Sequence, residues 1–370
     1  MPARTADVLI VGAGIVGAAC AREFARQGLS VAVVESGALG GGATAAAMGH
    51  LLVTDDAEFE LTRRSLRLWN DWLDEHPAHA DQAEHQACGT LWIAADEQEL
   101  ALARQKADWY RAHGLAAELL DGPALAAAEP LLRAGLAGAL RLPGDARVYP
   151  PKVVALWLAQ ARAELIRGEV VALNGGGLRL ADGRRLWGAM VVLCAGLASQ
   201  RWLPPGSLVA KKGQLAITQH QPLSSASVRH QLVELGYLRK AHDLAADSVS
   251  FNVQPRPGGQ LLIGSSRQPG RSDAALDPAL LGEMLASACA YLPELAQMSL
   301  LRCWTGLRPT SRDGLPLIGA HPSLPRVWLA TGHEGLGITS SLATAELLAD
   351  LSLGRATQIA ATPFAPGRLP

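Results

Sequence analysis

Three glycines, Gly12, Gly14 and Gly17, stand at the spacing Gly-x-Gly-x-x-Gly between the apolar run Asp7–Val11 and an alanine-rich stretch that reaches Gln27. A strand that turns into a helix through such glycines brings backbone N–H groups and the positive end of the helix up to a pyrophosphate. The first glycine allows the tight turn, the second the close approach of the phosphates, and the third the packing of helix on strand. Ile15 and Val16 complete the turn. Glu35 closes the next apolar run, Val31–Val34, and is followed by Ser36. A carboxylate there accepts hydrogen bonds from a ribose 2′-hydroxyl and repels a 2′-phosphate. The expected ligand is a nucleotide cofactor with a free adenosine ribose, and the motif by itself does not separate FAD from NAD. A second full fingerprint and an internal repeat are both missing from the sequence, so one such cofactor is expected.

To position that turn, residues 7–35 must form a strand–helix–strand unit, with Gly28 stopping the helix. Phe59, Leu66, Trp69, Trp72 and Leu73 recur at helical spacing, and their expected role is core packing, with a partner surface as the alternative should the tryptophans be exposed. A strand Thr90–Ile93 precedes a helix over Glu97–His113, and Pro150-Pro151 opens a helix expected to run to about Gly168. Met190–Ala195 is a continuous apolar run, suited to a buried parallel strand that rejoins the first sheet. Gln214–Thr218, Ser248–Gln254 and Gln260–Gly264 are spaced strands between Pro/Gly-rich turns, which predicts a second, antiparallel sheet. Near the end, the strand Arg326–Ala330, the loop Thr331–Gly337 and a helix Ile338–Leu351 return to the first pattern, before an irregular tail.

With 370 residues the chain suits two domains. Hydrophobic residues make up 49% and charged residues 18%, which excludes intrinsic disorder. Lys and Arg number 33 against 34 Asp and Glu, and no basic stripe offers a nucleic-acid footprint. The apolar run Leu186–Ala198 is shorter than the roughly 20 residues of a membrane span. The first strand begins at Asp7, too early for a signal peptide, so a cytoplasmic protein is expected, with membrane association only through partners. The five cysteines, Cys20, Cys88, Cys194, Cys289 and Cys303, include no C-x-x-C pair. Reduced thiols are expected, with no disulfide framework and no metal or iron–sulfur site.

The segment Asp7–Ser36, with Gly41-Gly-Ala-Thr44 and Ala47-Met-Gly-His50, resembles the D-amino-acid-oxidase-like family of FAD-dependent amine oxidoreductases. Cys194-Ala-Gly196-Leu-Ala-Ser199, Trp304-Thr-Gly-Leu-Arg-Pro309 and Asp313-Gly-Leu-Pro-Leu-Ile-Gly319 extend the likeness over nearly the whole chain. The resemblance implies an α/β fold: a Rossmann-like, glutathione-reductase-type FAD-binding domain (1–80, 145–207 and 310–370) and an antiparallel-sheet α+β substrate domain (81–144 and 208–309). It implies non-covalent FAD, because the cysteine that tethers flavin in monomeric sarcosine oxidase falls at Gly306, leaving Cys303 a buried bystander. The glycine-rich loop carrying Gly42, Ala43, Thr44, Met48 and Gly49 would offer N–H groups to the pyrophosphate and present Thr44 and His50 to the flavin. Val170, Ala195 and Gly196 would also line the cofactor. The loop with Gly332, Gly335, Leu336, Gly337, Ile338 and Thr339 would stabilise negative charge on the reduced ring from its N–H groups and the following helix end.

The resemblance further implies that Arg308 pairs with the substrate carboxylate, as a planar guanidinium is suited to do; stacking on Trp304 or pairing with Asp313 is the structural alternative. His333-Glu334 replaces an aromatic–arginine pair, and Glu334 would contact a ring nitrogen or hydroxyl of the substrate. His50 would hydrogen-bond flavin or substrate rather than act as a base. The strings Thr44–Leu51 and Gly332–Thr339 resemble the FAD-bearing β-subunits of bacterial D-hydroxyproline dehydrogenases, with subunits of opine oxidase and hydrogen cyanide synthase as cousins. The implied reaction takes cis-4-hydroxy-D-proline to 1-pyrroline-4-hydroxy-2-carboxylate by hydride transfer to flavin N5. Electrons would leave through small partner subunits carrying a [2Fe-2S] cluster, in a hetero-oligomer. The alternatives are a glycine, sarcosine or D-amino-acid oxidase using dioxygen, an opine oxidase subunit, or a flavin-binding scaffold without turnover.

Overall fold

The computed structural model describes residues 5–220, 227–236 and 246–369. The chain divides into two compact units, one of Met1–His85, Val148–Ala210 and Leu307–Pro370, the other of Gln86–Arg147 and Lys211–Gly306.

In the first unit, β1 (Val8–Val11) leads through the three glycines into α1 (Ile15–Arg26), and β2 (Val31–Glu35) follows. β1 and β2 are parallel neighbours, and Met190–Leu193 pairs in parallel on the other side of β1. The full sheet runs Leu317–Ala320, Val327–Thr331, Met190–Leu193, β1, β2, Glu164–Arg167, and its Leu317–Ala320 edge is antiparallel. Val8, Leu9, Ile10, Val191, Val192 and Leu193 are all fully buried, which explains why both central strands read as unbroken apolar runs. A three-stranded sheet of Val170–Asn174, Gly177–Leu180 and Arg185–Trp187 belongs to the same unit.

A short strand β3 (His50–Leu51) precedes α2 (Phe59–Glu75). Trp69 and Trp72 are buried at 0% and 1% exposure and meet Trp157 at ring-centroid distances of 4.8 and 5.6 Å. These tryptophans are core, and the idea that they form a partner surface is thereby corrected.

Two helix boundaries differ from those expected. The helix that begins at Pro150 stops at Ala161, because Arg162 adopts the left-handed conformation (φ 47°) and the chain then supplies the Glu164–Arg167 strand beside β2. The last helix is Ser341–Ser352 rather than one starting at Ile338. Residues 335–340 form turns, with the Leu336 N–H donating to His333 O and the Ser340 N–H to Leu336 O. Ile338 is buried without being helical, so its apolar character extends the helical pattern falsely.

Most of an eight-stranded sheet lies in the second unit, in the order Leu300–Ser311, Leu208–Thr218, Leu261–Pro269, Ser248–Pro255, Gln231–Glu234, Thr90–Ala94, Gly138–Leu142, Glu118–Asp121. It is not wholly antiparallel as expected: Gln231–Glu234 and Thr90–Ala94 pair in parallel. Phe251, Val253, Ile263, Met284 and Ala288 are among the residues of its core. The Pro278–Tyr291 helix supplies Met284 and Ala288, and Asp277 caps it by accepting the Leu280 N–H.

Candidate active site

The glycine turn leaves no room for a side chain at Gly12 or Gly17. Gly12 has φ 103°, and a Cβ on it would lie 2.6 Å from the Cys194 carbonyl oxygen; a Cβ on Gly17 would lie 2.0 Å from Gly12 O. Backbone thus packs on backbone between β1, α1 and the end of the Met190–Leu193 strand, which brings Ala195 and Gly196 beside the turn. Glu35, half-buried at the end of β2, braces the turn from the other side. Its Oε2 accepts the Ala13 N–H at 2.8 Å and its Oε1 the Gly37 N–H at 2.6 Å. Each oxygen retains a further lone pair for a ligand hydroxyl. Ser36 next to it is exposed.

Thr44 is placed differently from expectation. Its Oγ1 accepts the Ile15 N–H at 3.0 Å, so it caps the first turn of α1. That bond uses one of the helix N–H groups expected to face the pyrophosphate. Gly42 and Ala43 are exposed and Met48 is buried. Gly49, with φ 90°, lets the chain approach Val148 so closely that a Cβ would stand 2.1 Å from its oxygen. Val170, 5% exposed, begins its strand in the core, leaving chiefly its backbone for contact.

The Gly332–Thr339 loop joins several of the remaining residues. The Glu334 N–H donates to Pro309 O at 2.9 Å, and His333 bridges Thr310, so the loop is laced to the strand residues that follow Arg308. Glu334 has φ 47°, a strained conformation for a glutamate, and its Oε2 accepts the Gly335 N–H at 2.5 Å. Thr339 Oγ1 donates to His50 O at 2.9 Å, while Thr339 O accepts the Trp69 indole N–H at 3.1 Å. β3, α2 and the loop are therefore one hydrogen-bonded block. Because the helix starts at Ser341, its positive end lies beyond Ile338, and the N–H groups nearest the Gly335–Gly337 segment belong to turns. His333 is 3% exposed, and burial lowers its ring to about 4, leaving it neutral. Its Nε2 shares a 3.0 Å hydrogen bond with Thr344 Oγ1 of the last helix, a position that supports the loop from behind. Arg308 is half-buried. Asp313 is engaged by Arg368, at 2.7 and 2.9 Å, and Arg302 lies over Trp304.

The architecture is matched by comparison with known proteins. Residues 7–351 fit the profile described as DAO, FAD dependent oxidoreductase. The chain belongs to this family. The oxidoreductase is 32% identical to the glycine oxidase of Pseudomonas aeruginosa, over 98% of its own length and 99% of that protein. It is also 32% identical to a D-amino acid dehydrogenase of Cereibacter sphaeroides, over 73% of its length and 62% of that protein. The crystal structure of glycine oxidase from Geobacillus kaustophilus superposes with a TM-score of 0.84 at 26% identity, covering 97% of this chain and 98% of that one.

The residues present fit FAD. A pyrophosphate requires the open backbone that Gly12 and Gly14 keep clear, and an adenosine ribose requires the carboxylate that Glu35 presents at the strand end. The oxidoreductase departs from expectation at Cys303, which is only half-buried, its thiol pushed up by desolvation. Among the described residues no helix is long and apolar enough to cross a membrane.

One residue of the block escaped the sequence reading. Glu58, the residue before α2, is 8% exposed, and its Oε1 makes no hydrogen bond. Burial first, then the charges of Asp56 and Glu334, push its carboxyl up to about 9. An acid just before an apolar-periodic segment reads as an ordinary helix-start residue, so no sequence signal marks it.

Proposed function

We propose that the chain is an FAD-dependent dehydrogenase that oxidises the Cα–N bond of a cyclic D-imino acid, with cis-4-hydroxy-D-proline as substrate. The product is the cyclic imine 1-pyrroline-4-hydroxy-2-carboxylate. The observation that carries this reading is the lacing of Glu334 to Pro309, which keeps an acid and the Arg308 guanidinium on adjoining, mutually bonded segments. A cation and an anion so fixed complement a substrate that bears both a carboxylate and an amine. Bound FAD would supply the acceptor for the hydride that leaves the α-carbon. Arg308 holds the carboxylate, the lone pair of the neutral amine forms the C=N bond as the hydride leaves, and the resulting iminium gives up its N–H proton to solvent water. His50, tied through its carbonyl to Thr339, hydrogen-bonds at the edge of the site. His333 stays neutral and fixes the loop. Gly12, Gly14, Gly17, Glu35 and the Gly42–Gly49 loop hold the cofactor. The likeness of Thr44–Leu51 and Gly332–Thr339 to D-hydroxyproline dehydrogenase β-subunits supports the cyclic substrate and the export of electrons to partner subunits carrying [2Fe-2S] clusters.

The full-length similarity to a glycine oxidase favours a second reading, an oxidase for glycine or sarcosine in which dioxygen is the acceptor. Anaerobic mixing of the yellow protein with cis-4-hydroxy-D-proline, D-proline, sarcosine and glycine, followed by air, decides between them. Bleaching by the D-prolines alone with slow re-oxidation is the expected result. Bleaching by glycine or sarcosine with rapid peroxide release establishes the oxidase, and bleaching by none of them overturns both.

A further inference from the structure

Arg22 is a buried cation whose pairing is incomplete. It lies on α1 at 7% exposure and donates from Nε to Gln160 Oε1 at 2.9 Å. Gln160, on the Pro150–Ala161 helix, is itself fixed, because its Oε1 also accepts the Trp72 indole N–H at 3.3 Å and its amide nitrogen meets His79 Nδ1 at 3.2 Å. Among the described residues no hydrogen bond reaches Arg22 Nη1 or Nη2, and Glu75 Oε2 stands 3.9 Å from Nη2, beyond hydrogen-bond distance. Burial first, then the charge of Arg26, push this guanidinium below the usual arginine range, although the carboxylates of Glu75 and Glu23 act in the opposite direction. A buried cation so poorly paired costs stability. Arg22 lines a cavity of about 330 Å³ between α1, α2 and the last helix, all parts of the first unit. Leu68, Leu342 and Ala345 add apolar lining. Other charges at the cavity are already engaged: Arg64 donates to both oxygens of Glu346 at 2.6 and 2.8 Å, and Glu23 accepts from Gln27 at 2.7 Å and from Arg26 at 3.4 Å. Asp71 and Glu75, one turn apart on α2 and exposed, line the cavity as well, and among the described residues their carboxylates accept no hydrogen bond.

We propose that this cavity binds a free aliphatic α-amino acid, at a site that shares no residue with the candidate active site, with Arg22 holding the carboxylate and Glu75 and Asp71 the ammonium group. Because Nε is committed to Gln160, the edge formed by Nη1 and Nη2 is the one left for a two-point carboxylate contact. An ammonium group brings three donors, which the two rim carboxylates can accept. A simple carboxylate or phosphate would set its charge against Glu75 and Asp71, and a simple amine would set its charge against Arg22, whereas a zwitterion meets both signs at once. The lining by Leu68, Leu342 and Ala345 favours a hydrocarbon side chain over a charged one. The cavity falls in the roughly 300–1,000 Å³ range of small-molecule sites. Its ligand would bridge α1, which starts at the nucleotide turn, and the last helix, which supports His333 through Thr344.

The test is calorimetric titration of the oxidised holoenzyme, without oxygen, with three probes: L-leucine, 4-methylpentanoate, which lacks its ammonium group, and 3-methylbutylamine, which lacks its carboxylate. L-Leucine is expected to bind wild type with a Kd of about 1 mM or below, and each truncated probe about 10-fold or more weakly. Arg22→Met should remove L-leucine binding. Glu75→Gln should weaken it about 3-fold, and Glu75→Gln with Asp71→Asn about 10-fold, with the affinity for 4-methylpentanoate unchanged or raised. Flavin content reports folding, and the two exposed α2 substitutions decide alone if Arg22→Met fails to hold FAD. Arg308→Ala should leave the L-leucine affinity within about 2-fold of wild type, since the active-site guanidinium takes no part. Absence of L-leucine binding up to about 10 mM overturns the proposal. So does binding of 4-methylpentanoate as tight as that of L-leucine, which marks a plain anion pocket, or binding lost in Arg308→Ala and kept in the α2 variants, which marks the active site. None of these results bears on which substrate reduces the flavin.

Discussion

Replacement of Glu35 by glutamine separates bracing of the nucleotide turn from recognition of the nucleotide. The carboxylate accepts the Ala13 N–H at 2.8 Å and the Gly37 N–H at 2.6 Å. Glutamine has the same length but only one acceptor oxygen, and its NH2 must face one of those two donors. The apoprotein therefore loses one charge-assisted bond, about 1–2 kcal/mol after solvent compensation. A bound ribose loses an ionised acceptor, a further ~1.5–3 kcal/mol that is felt only with the ligand present. The FAD dissociation constant should rise about 10- to 100-fold. Flavin fluorescence quenching on titrating deflavinated protein measures it, and denaturant melts of the apoprotein measure the first effect. An unchanged dissociation constant with a destabilised apoprotein would show that Glu35 only braces the loop. No change in either would refute the reasoning entirely.

Three further outcomes are expected. Arg308→Ala should lower kcat/KM by the equivalent of about 2–4 kcal/mol with FAD retained; wild-type kinetics would remove Arg308 from the site. Gly17→Ala places a Cβ 2.0 Å from Gly12 O, a backbone collision that should cost about 1–3 kcal/mol of stability together with FAD affinity, so a variant that melts with wild type and binds FAD normally contradicts the packing described. His333 has a folded pKa near 4, below its unfolded value of about 6.5. The unfolded chain then binds the extra proton, and stability falls as pH drops from about 6.5 to about 4, by roughly 3 kcal/mol in total. The stability difference between wild type and His333→Gln should shift by that amount over this window, and a flat difference would mean the ring is not desolvated.

What could be read along the chain was whatever a few neighbouring residues decide. The turn at Gly12, the strand-terminal Glu35 and the buried run Met190–Leu193 depend on local backbone geometry and on two-sided burial, and both leave their mark in residue type and spacing. Those marks led to a nucleotide-binding α/β fold, while the family and FAD came from the resemblance carried by the longer strings between Gly41 and Gly319. Helix ends were less legible, because Arg162 stops its helix to supply a sheet edge and Ile338 is buried for reasons other than helix packing. Thr44 is a cap for Ile15 only because the fold returns residue 44 to the start of α1. The neutral ring of His333 and the raised acid of Glu58 are products of burial first of all, to which the charges of Asp56 and then Glu334 add for Glu58. Desolvation and charge coupling act through space over a few ångströms, so they are set where distant parts of the chain meet, and only the tertiary structure determines that.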